Sequence, residues 1–137
     1  MTNFNNLSAT IRSLYEEYDE KWSGYLYRSS EKGIYYHTNQ DGAKFYGKTD
    51  KFECPDDVNG VLIDLDEDYA EIIEKTGESE DVGLAVEKFL PILRRSLHFD
   101  CVVINGETGR DVTGIPVEVV LFDEPKSMID KIAGEMK

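Results

Sequence analysis

The sequence contains few of the features that set a chain apart from an ordinary folded domain. It has two cysteines, Cys54 and Cys101, and neither belongs to a CxxC pair, so we expect free thiols and neither a disulfide framework nor a zinc site. No apolar run approaches the roughly 20 residues of a membrane span. The opening residues, MTNFNNLSATIRS, lack the basic and then apolar order of a signal peptide. These absences predict a cytoplasmic protein that does not contact a membrane.

Catalytic and cofactor motifs are missing as well. The two histidines, His37 and His98, have no sequence neighbour that resembles an activated nucleophile. Ser29 and Lys32 have S-x-x-K spacing, but they fall in a predicted hairpin turn. The segment NGETGRDVTG has glycines but neither the P-loop lysine nor the Rossmann spacing. The sequence therefore predicts no enzymatic activity and no cofactor.

The residues that are present predict one folded α+β domain spanning residues 1–137. Apolar residues make up 40% of the chain, and a chain of this length buries roughly two-thirds of its unfolded surface. Apolar periodicity predicts an N-terminal helix capped by Asn5 or Asn6 and ended at Ser23 and Gly24. Its buried stripe is Leu7, Ile11, Leu14, Tyr15, Tyr18 and Trp22. Three aromatic runs, GYLYR, GIYYHT and AKFYG, follow and favour an antiparallel meander.

The second half of the chain predicts further strands and helices. VLIDLD is read as a half-exposed strand, and the next helix is capped by Asp68 and stopped at Gly77. A longer helix covers residues 79–97, and Pro91 is expected to kink or split it. DCVVI and IPVEVVLF predict a strand pair, and DEPKSMIDKIAGEMK predicts a C-terminal helix. The order favours a two-layer sandwich: a mainly antiparallel sheet with an N-terminal helix, a central helical pair and a C-terminal helix.

Negative charge is concentrated in one tract, residues 56–87. The net charge of the chain is −13, and this tract holds twelve carboxylates and one lysine. The flanking segments, 1–55 and 88–137, each hold seven basic and eight acidic residues. A charge excess localised in this way produces a directional field, and it argues against nucleic-acid phosphate or an anionic membrane as a direct partner.

The acidic tract resembles the start of a calcium-binding loop but departs from it at two diagnostic positions. Asp64, Asp66 and Asp68 have D-x-D-x-D spacing. However, Tyr69 occupies the sixth position, where the loop needs glycine, and Lys75 occupies the twelfth, where it needs a bidentate glutamate. We therefore predict no metal site.

A row of negative charge on the surface is the alternative. On a strand, Asp64 and Asp66 project from one side about 7 Å apart. On the following helix, the row continues at steps of four, three and four through Glu67, Glu71, Glu74 and Glu78. Like charges at these spacings destabilise a helix by about 0.2–0.5 kcal/mol per pair, so the row suggests a function. The helix dipole explains carboxylates at helix starts, and solubility is the competing explanation for the others.

The leading hypothesis is a non-enzymatic inhibitor, of the immunity or phage anti-defence type, that blocks a basic site on a partner protein. The partner would be a nucleic-acid-processing enzyme or a toxin, which the carboxylates engage as a nucleic-acid mimic. Asp64, Asp66, Glu71, Glu74 and Glu78 supply the charge, and Tyr25 or Tyr27 of the aromatic meander supplies a desolvated anchor. Two alternatives stay open: a small-ligand-binding or enzymatic domain that uses the meander, and a structural subunit of a larger assembly.

Overall fold

A mixed sheet of seven strands forms the centre of the described chain, which comprises residues 1–29, 35–39, 49–97, 100–107 and 115–122 of the computed structural model. The strands are β1 (Thr2–Phe4), β2 (Tyr25–Ser29), β3 (Tyr35–His37), β4 (Thr49–Glu53), β5 (Gly60–Asp64), β6 (Cys101–Asn105) and β7 (Val117–Leu121). Their order across the sheet is β1-β5-β6-β7-β3-β2-β4. β5 and β6 are parallel, and the other neighbouring pairs are antiparallel.

Three helices within the described residues cover the sheet: α1 (Leu7–Glu17), α2 (Leu65–Thr76) and α3 (Val82–Leu97). Side chains alternate between the two faces of a strand, and β6 shows which helix covers which face. Val103 belongs to a core cluster with Leu14 of α1. Val102 belongs to a second cluster with Ile72 of α2 and Phe89 of α3. The helices therefore lie on opposite faces.

The α+β class is confirmed, but the predicted two-layer sandwich is not. All five residues of β6, CVVIN, are buried, which is typical of a strand covered on both faces. The described elements form three layers, with α1 on one side of the sheet and the α2–α3 pair on the other.

The N-terminal helix begins where the sequence predicts and ends earlier. The Asn6 side chain caps it by accepting a 3.0 Å hydrogen bond from the Ala9 amide. The helix stops at Glu17, and Asp19 then adopts a left-handed conformation with φ of 57°. The predicted end at Ser23 and Gly24 is wrong, because this turn redirects the chain. Trp22 lies outside the helix but still packs against the α1 core cluster.

The first strands follow the aromatic pattern only in part. β2 and β3 form an antiparallel pair, as predicted, whereas the AKFYG run lies outside the described residues. β4 pairs with β2 instead of β3, so the described strands do not form a simple meander. β1 and β4 were not predicted, because TNF and TDKFE are short and polar and show no clear alternation.

In the second half of the chain, the structure agrees more closely with the predicted elements. β6 and β7 form the predicted antiparallel pair. α3 runs through Pro91 as one helix with the proline exposed, so the chain is not split there. The predicted C-terminal helix, residues 123–137, lies outside the described residues. Within the described part, no helix has both the length and the apolar character to cross a bilayer.

Two glycines allow close packing around β5 and β6. A Cβ on Gly60 would overlap the Cys101 carbonyl oxygen and come within 2.6 Å of the Phe4 ring. Gly106 has a φ of 130°, and a Cβ there would come within 2.8 Å of the Leu65 side chain. The start of β5 and the end of β6 therefore leave no room for a side chain at these positions.

Candidate protein-binding surface

Within the acidic tract, a helix cap lies at the end of β5. The Asp64 carboxylate accepts a 3.0 Å hydrogen bond from the Asp66 amide, and the Asp68 carboxylate accepts a 2.9 Å bond from the Asp64 amide. Both side chains therefore satisfy backbone donors of the first turn of α2. The predicted placement of Asp64 and Asp66 on one strand face, with Asp68 as the cap, is wrong, because the strand ends at Asp64 and Asp66 is already helical.

Asp68 does not contribute to an exposed charge row. It is 9% exposed, and its Oδ1 lies 2.8 Å from the Met1 ammonium. The hydrogen bond to Asp68 raises the pKa of that ammonium group. The charge of the Asp68 carboxylate is therefore balanced by an ion pair within the fold.

The outward side of α2 carries four exposed carboxylates, which we call the α2 acidic face. They are Asp66, Glu67, Glu71 and Glu74. Within the described part of the chain, no hydrogen bond or ion pair joins these carboxylates to a lysine or arginine side chain. Lys75, in the last turn, is the one basic residue of the helix. Among the described residues, the Met1 ammonium interacts with the charges of Glu67 and Glu71 without forming an ion pair with them, so the negative charge of this face is only partly offset.

Glu78 lies beyond the end of α2 and has local partners. The helix stops at Gly77, whose φ of 74° is left-handed, as the sequence predicts. Glu78 Oε1 accepts from the amides of Glu80 and Asp81 at 3.2 and 3.3 Å, and Oε2 lies 3.3 Å from Lys88 Nζ. The backbone hydrogen bonds, followed by Lys88, lower the pKa of Glu78. The predicted row therefore ends at Glu74.

The two tyrosines predicted as anchors lie away from α2. Tyr25 and Tyr27 belong to β2, and three strands separate β2 from β5 in the sheet. Tyr27 is 7% exposed. Tyr25 is half-buried, with the Lys51 ammonium 4.0 Å from the centre of its ring. The structure does not bring these rings together with the α2 acidic face, because the chain crosses the whole sheet between them.

Tyr18, in contrast, lies beside the start of α2. It is 39% exposed, and its hydroxyl donates a 2.7 Å hydrogen bond to Asn105 Oδ1. Asn105 is the ladder partner of Asp64. Burial, followed by the charges of Asp64 and Asp66, raises the pKa of the Tyr18 phenol. The sequence assigned Tyr18 to the buried stripe of the first helix, and only the early end of α1 turns it outward.

A polar cleft of about 680 Å³ lies on another part of the surface, where a small-ligand site would be sought first. Arg12, Tyr25 and Cys54 line it, together with the exposed Asp56 and Asp57. Burial raises the pKa of the Cys54 thiol to about 12. The thiol is therefore protonated at neutral pH and does not provide a thiolate nucleophile.

The described residues contain no group of three or more His, Cys, Asp or Glu side chains arranged to hold a metal ion. No protein-family model, curated protein or solved structure matches the chain. The function must therefore be argued from the charges and contacts of the residues themselves.

Proposed function

We propose that the protein is a non-enzymatic binding protein that uses the α2 acidic face to occupy a basic site on another protein. The observation that carries this proposal is the set of four exposed carboxylates on one helix side that form no ion pair with a lysine or arginine of the described chain. An inhibitor of the immunity or anti-defence type acts in this way.

The arrangement suits competition with nucleic acid for lysine and arginine side chains. Residues three and four apart on a helix have Cβ atoms about 5–6 Å apart, and Glu67, Glu71 and Glu74 follow this spacing. A rigid row of closely spaced negative charges attracts the same basic side chains that otherwise contact phosphates. The partner we propose is therefore a nucleic-acid-processing enzyme or a toxin with a basic site.

The charge distribution also favours rapid association. Twelve of the 28 carboxylates lie in residues 56–87, so the field of the protein is directional. Complementary fields accelerate encounter and fix orientation, and the effect weakens as salt is added. A strong dependence of the association rate on ionic strength is the signature we expect.

The test compares three full-length proteins of known charge. The first is the wild type, and the second is a face variant in which the four carboxylates of the α2 acidic face become amides (D66N, E67Q, E71Q, E74Q). The third is a control variant that loses four exposed carboxylates elsewhere (E16Q, D50N, D57N, D100N). The two variants have equal net charge, so they differ only in where charge is removed.

Each protein is immobilised and exposed to a matched cell lysate at low salt, and retained proteins are identified by mass spectrometry. We expect basic proteins that the wild type and the control variant retain and the face variant loses. Purified partners are then titrated at about 50 and about 200 mM salt. Equal retention by all three proteins, or binding insensitive to salt, would contradict the proposal.

A further inference from the structure

A cavity of about 630 Å³ opens beyond the ends of the central strands, where β6 ends and β7 begins. Its walls come from the end of α1 and from the segments beside these strands, and they include Tyr15, Tyr18, Glu20, Glu107, Ile115 and Pro116. The volume lies within the range of about 300–1,000 Å³ that is common for ligand pockets.

The described residues that line this cavity favour a positively charged ligand. Tyr18 provides a partly exposed aromatic ring, Tyr15 lies behind it with only 4% of its surface exposed, and Glu20 and Glu107 are both exposed. None of the described residues that line it is lysine, arginine or histidine. Aromatic faces and carboxylates both attract cations, and a guanidinium group is recognised by both at once.

Hydrogen bonds hold the side chains of Tyr15 and Tyr18 in place before any ligand enters. The Tyr15 hydroxyl donates to Thr38 Oγ1 at 2.8 Å, and that hydroxyl donates to the Val117 carbonyl at 2.9 Å. The Tyr18 hydroxyl is fixed in the same way by Asn105, at 2.7 Å. Side chains that are ordered in advance lose little entropy on binding.

Tyr18 and Asn105 connect the cavity to the start of α2. Tyr18 bonds to Asn105 at the end of β6, and Asn105 is the ladder partner of Asp64 at the end of β5. Asp64 in turn caps α2. A basic segment that lies along α2 therefore reaches Tyr18 at the N-terminal end of the helix.

We propose that this cavity receives an arginine side chain of the partner protein, next to the basic residues that contact the α2 acidic face. The inference rests on the proposed function and adds its desolvated anchor, which the row of surface charge lacks. Arginine fits better than lysine, because its planar guanidinium stacks on a tyrosine ring and bonds to a carboxylate with two N–H groups.

The experiment measures the affinity of the full-length protein for two synthetic probes of equal charge, hexa-arginine and hexa-lysine, by titration calorimetry. The cavity variants are Tyr18→Leu, which removes the ring, and Tyr18→Phe, which keeps it. The control is Tyr25→Leu, because Tyr25 is a half-buried tyrosine that does not line the cavity. Urea unfolding of each variant verifies that it is folded.

We expect wild type to bind hexa-arginine about threefold or more tightly than hexa-lysine, because stacking one guanidinium group on the Tyr18 ring strengthens binding by about that factor. Tyr18→Phe and Tyr25→Leu should keep this ratio, and Tyr18→Leu should reduce it to about one. A ratio of one in wild type, or an unchanged ratio in Tyr18→Leu, would overturn the proposal.

The face variant separates this inference from the proposed function. If the wild type and the face variant differ in affinity for both probes but neither prefers arginine, the acidic face is supported and the arginine cavity is rejected. If the face variant keeps both its affinity and its arginine preference, the cavity is supported and the role of the acidic face is rejected.

Discussion

The hydroxyl of Tyr18 donates a 2.7 Å hydrogen bond to the side chain of Asn105, and this bond ties the end of α1 to the end of β6. Asn105 is 8% exposed, so the bond satisfies a buried acceptor. The Tyr18 ring is thereby held partly exposed beside Asp64, at the point where the acidic helix begins.

Replacing Tyr18 by phenylalanine tests the strength of this tie. We expect the free energy of unfolding to fall by about 1 kcal/mol, because the buried Asn105 oxygen loses its donor. Tyr25→Phe is the matched control, since no described contact involves the Tyr25 hydroxyl, and we expect a change within about 0.5 kcal/mol. Urea unfolding measures both, and equal losses would contradict the prediction.

Asp64 should matter for stability as a cap, apart from its charge. Asp64→Ala removes the acceptor for the Asp66 amide, and we expect a loss of about 1 kcal/mol. Asp64→Asn keeps an acceptor oxygen and should cost only a few tenths of that. Urea unfolding of the two variants decides the point. If Asp64→Ala and Asp64→Asn lose the same free energy of unfolding, Asp64 stabilises the fold by its charge and not as a helix cap.

Glu74 and Glu67 should respond in opposite ways to the same change. Glu74 lies near the C-terminal end of α2, with Glu71 three residues before it and Glu78 four residues after it. Glu74→Lys relieves this repulsion and suits the helix dipole, so we expect a gain of about 0.5 kcal/mol. Glu67→Lys in the first turn should lose a similar amount. Thermal unfolding of both variants at low salt shows whether the signs differ, and a loss of stability in Glu74→Lys would refute the argument.

Gly60 should not tolerate a side chain. Gly60→Ala places a methyl group against the Cys101 carbonyl oxygen and the Phe4 ring, and we expect a cost of about 1–3 kcal/mol from overpacking. The control is Gly77→Asn, where the space is open and the left-handed backbone suits asparagine. Denaturant unfolding should show a much smaller loss for the control. A loss below about 0.5 kcal/mol in Gly60→Ala would show that the strands can separate without penalty.

The two thiols make stability fall at alkaline pH. Burial raises the pKa of Cys54 from its ordinary value of 9.0 to about 12, and burial raises the pKa of Cys101 further. The folded thiols keep protons that the unfolded thiols lose, so stability is full below about pH 9 and declines as pH rises toward the folded values. Between about pH 8 and about pH 10, we expect a loss of about 1 kcal/mol per thiol.

Urea unfolding at these two pH values measures the loss, and alkylation with iodoacetamide gives an independent readout. Cys54→Ala should reduce the loss between these pH values by about 1 kcal/mol. Rapid alkylation of either cysteine in the folded protein at about pH 8 would contradict the predicted burial of the thiols.

The sequence predicted those helix ends and strand pairs that short runs of neighbouring residues determine. The cap at Asn5 or Asn6, the stop at Gly77 and the β6–β7 strand pair all follow from short patterns, and the structure has Asn6 as the cap, the stop and the pair. The cap was assigned to Asp68 in place of Asp64, because an aspartate after VLI suits strand alternation and helix capping equally well. The three layers were missed because apolar runs do not say which face of a sheet each helix covers.

The acidic face was predicted only in part for the same reason. The periodicity that places Glu67, Glu71 and Glu74 on one side of a helix is local, and the structure leaves these three exposed. The contacts of Glu78 depend on the amides of Glu80 and Asp81 and on Lys88, ten residues further on. The exposure of Tyr18 depends on a left-handed residue at Asp19. Neither dependence has a periodic signal in the sequence.

The position of β3 in the sheet has a consequence for how the protein folds. β3 lies between β2 and β7, and Tyr36 pairs with Val119, far along the chain. Strands β5, β6 and β7 pair with one another over shorter separations in sequence. Closing a long loop costs more entropy and slows folding. We therefore expect the segment from β5 to β7, which carries the acidic helix, and the segment from β2 to β4, whose strands also pair locally, to form before β3 joins β7.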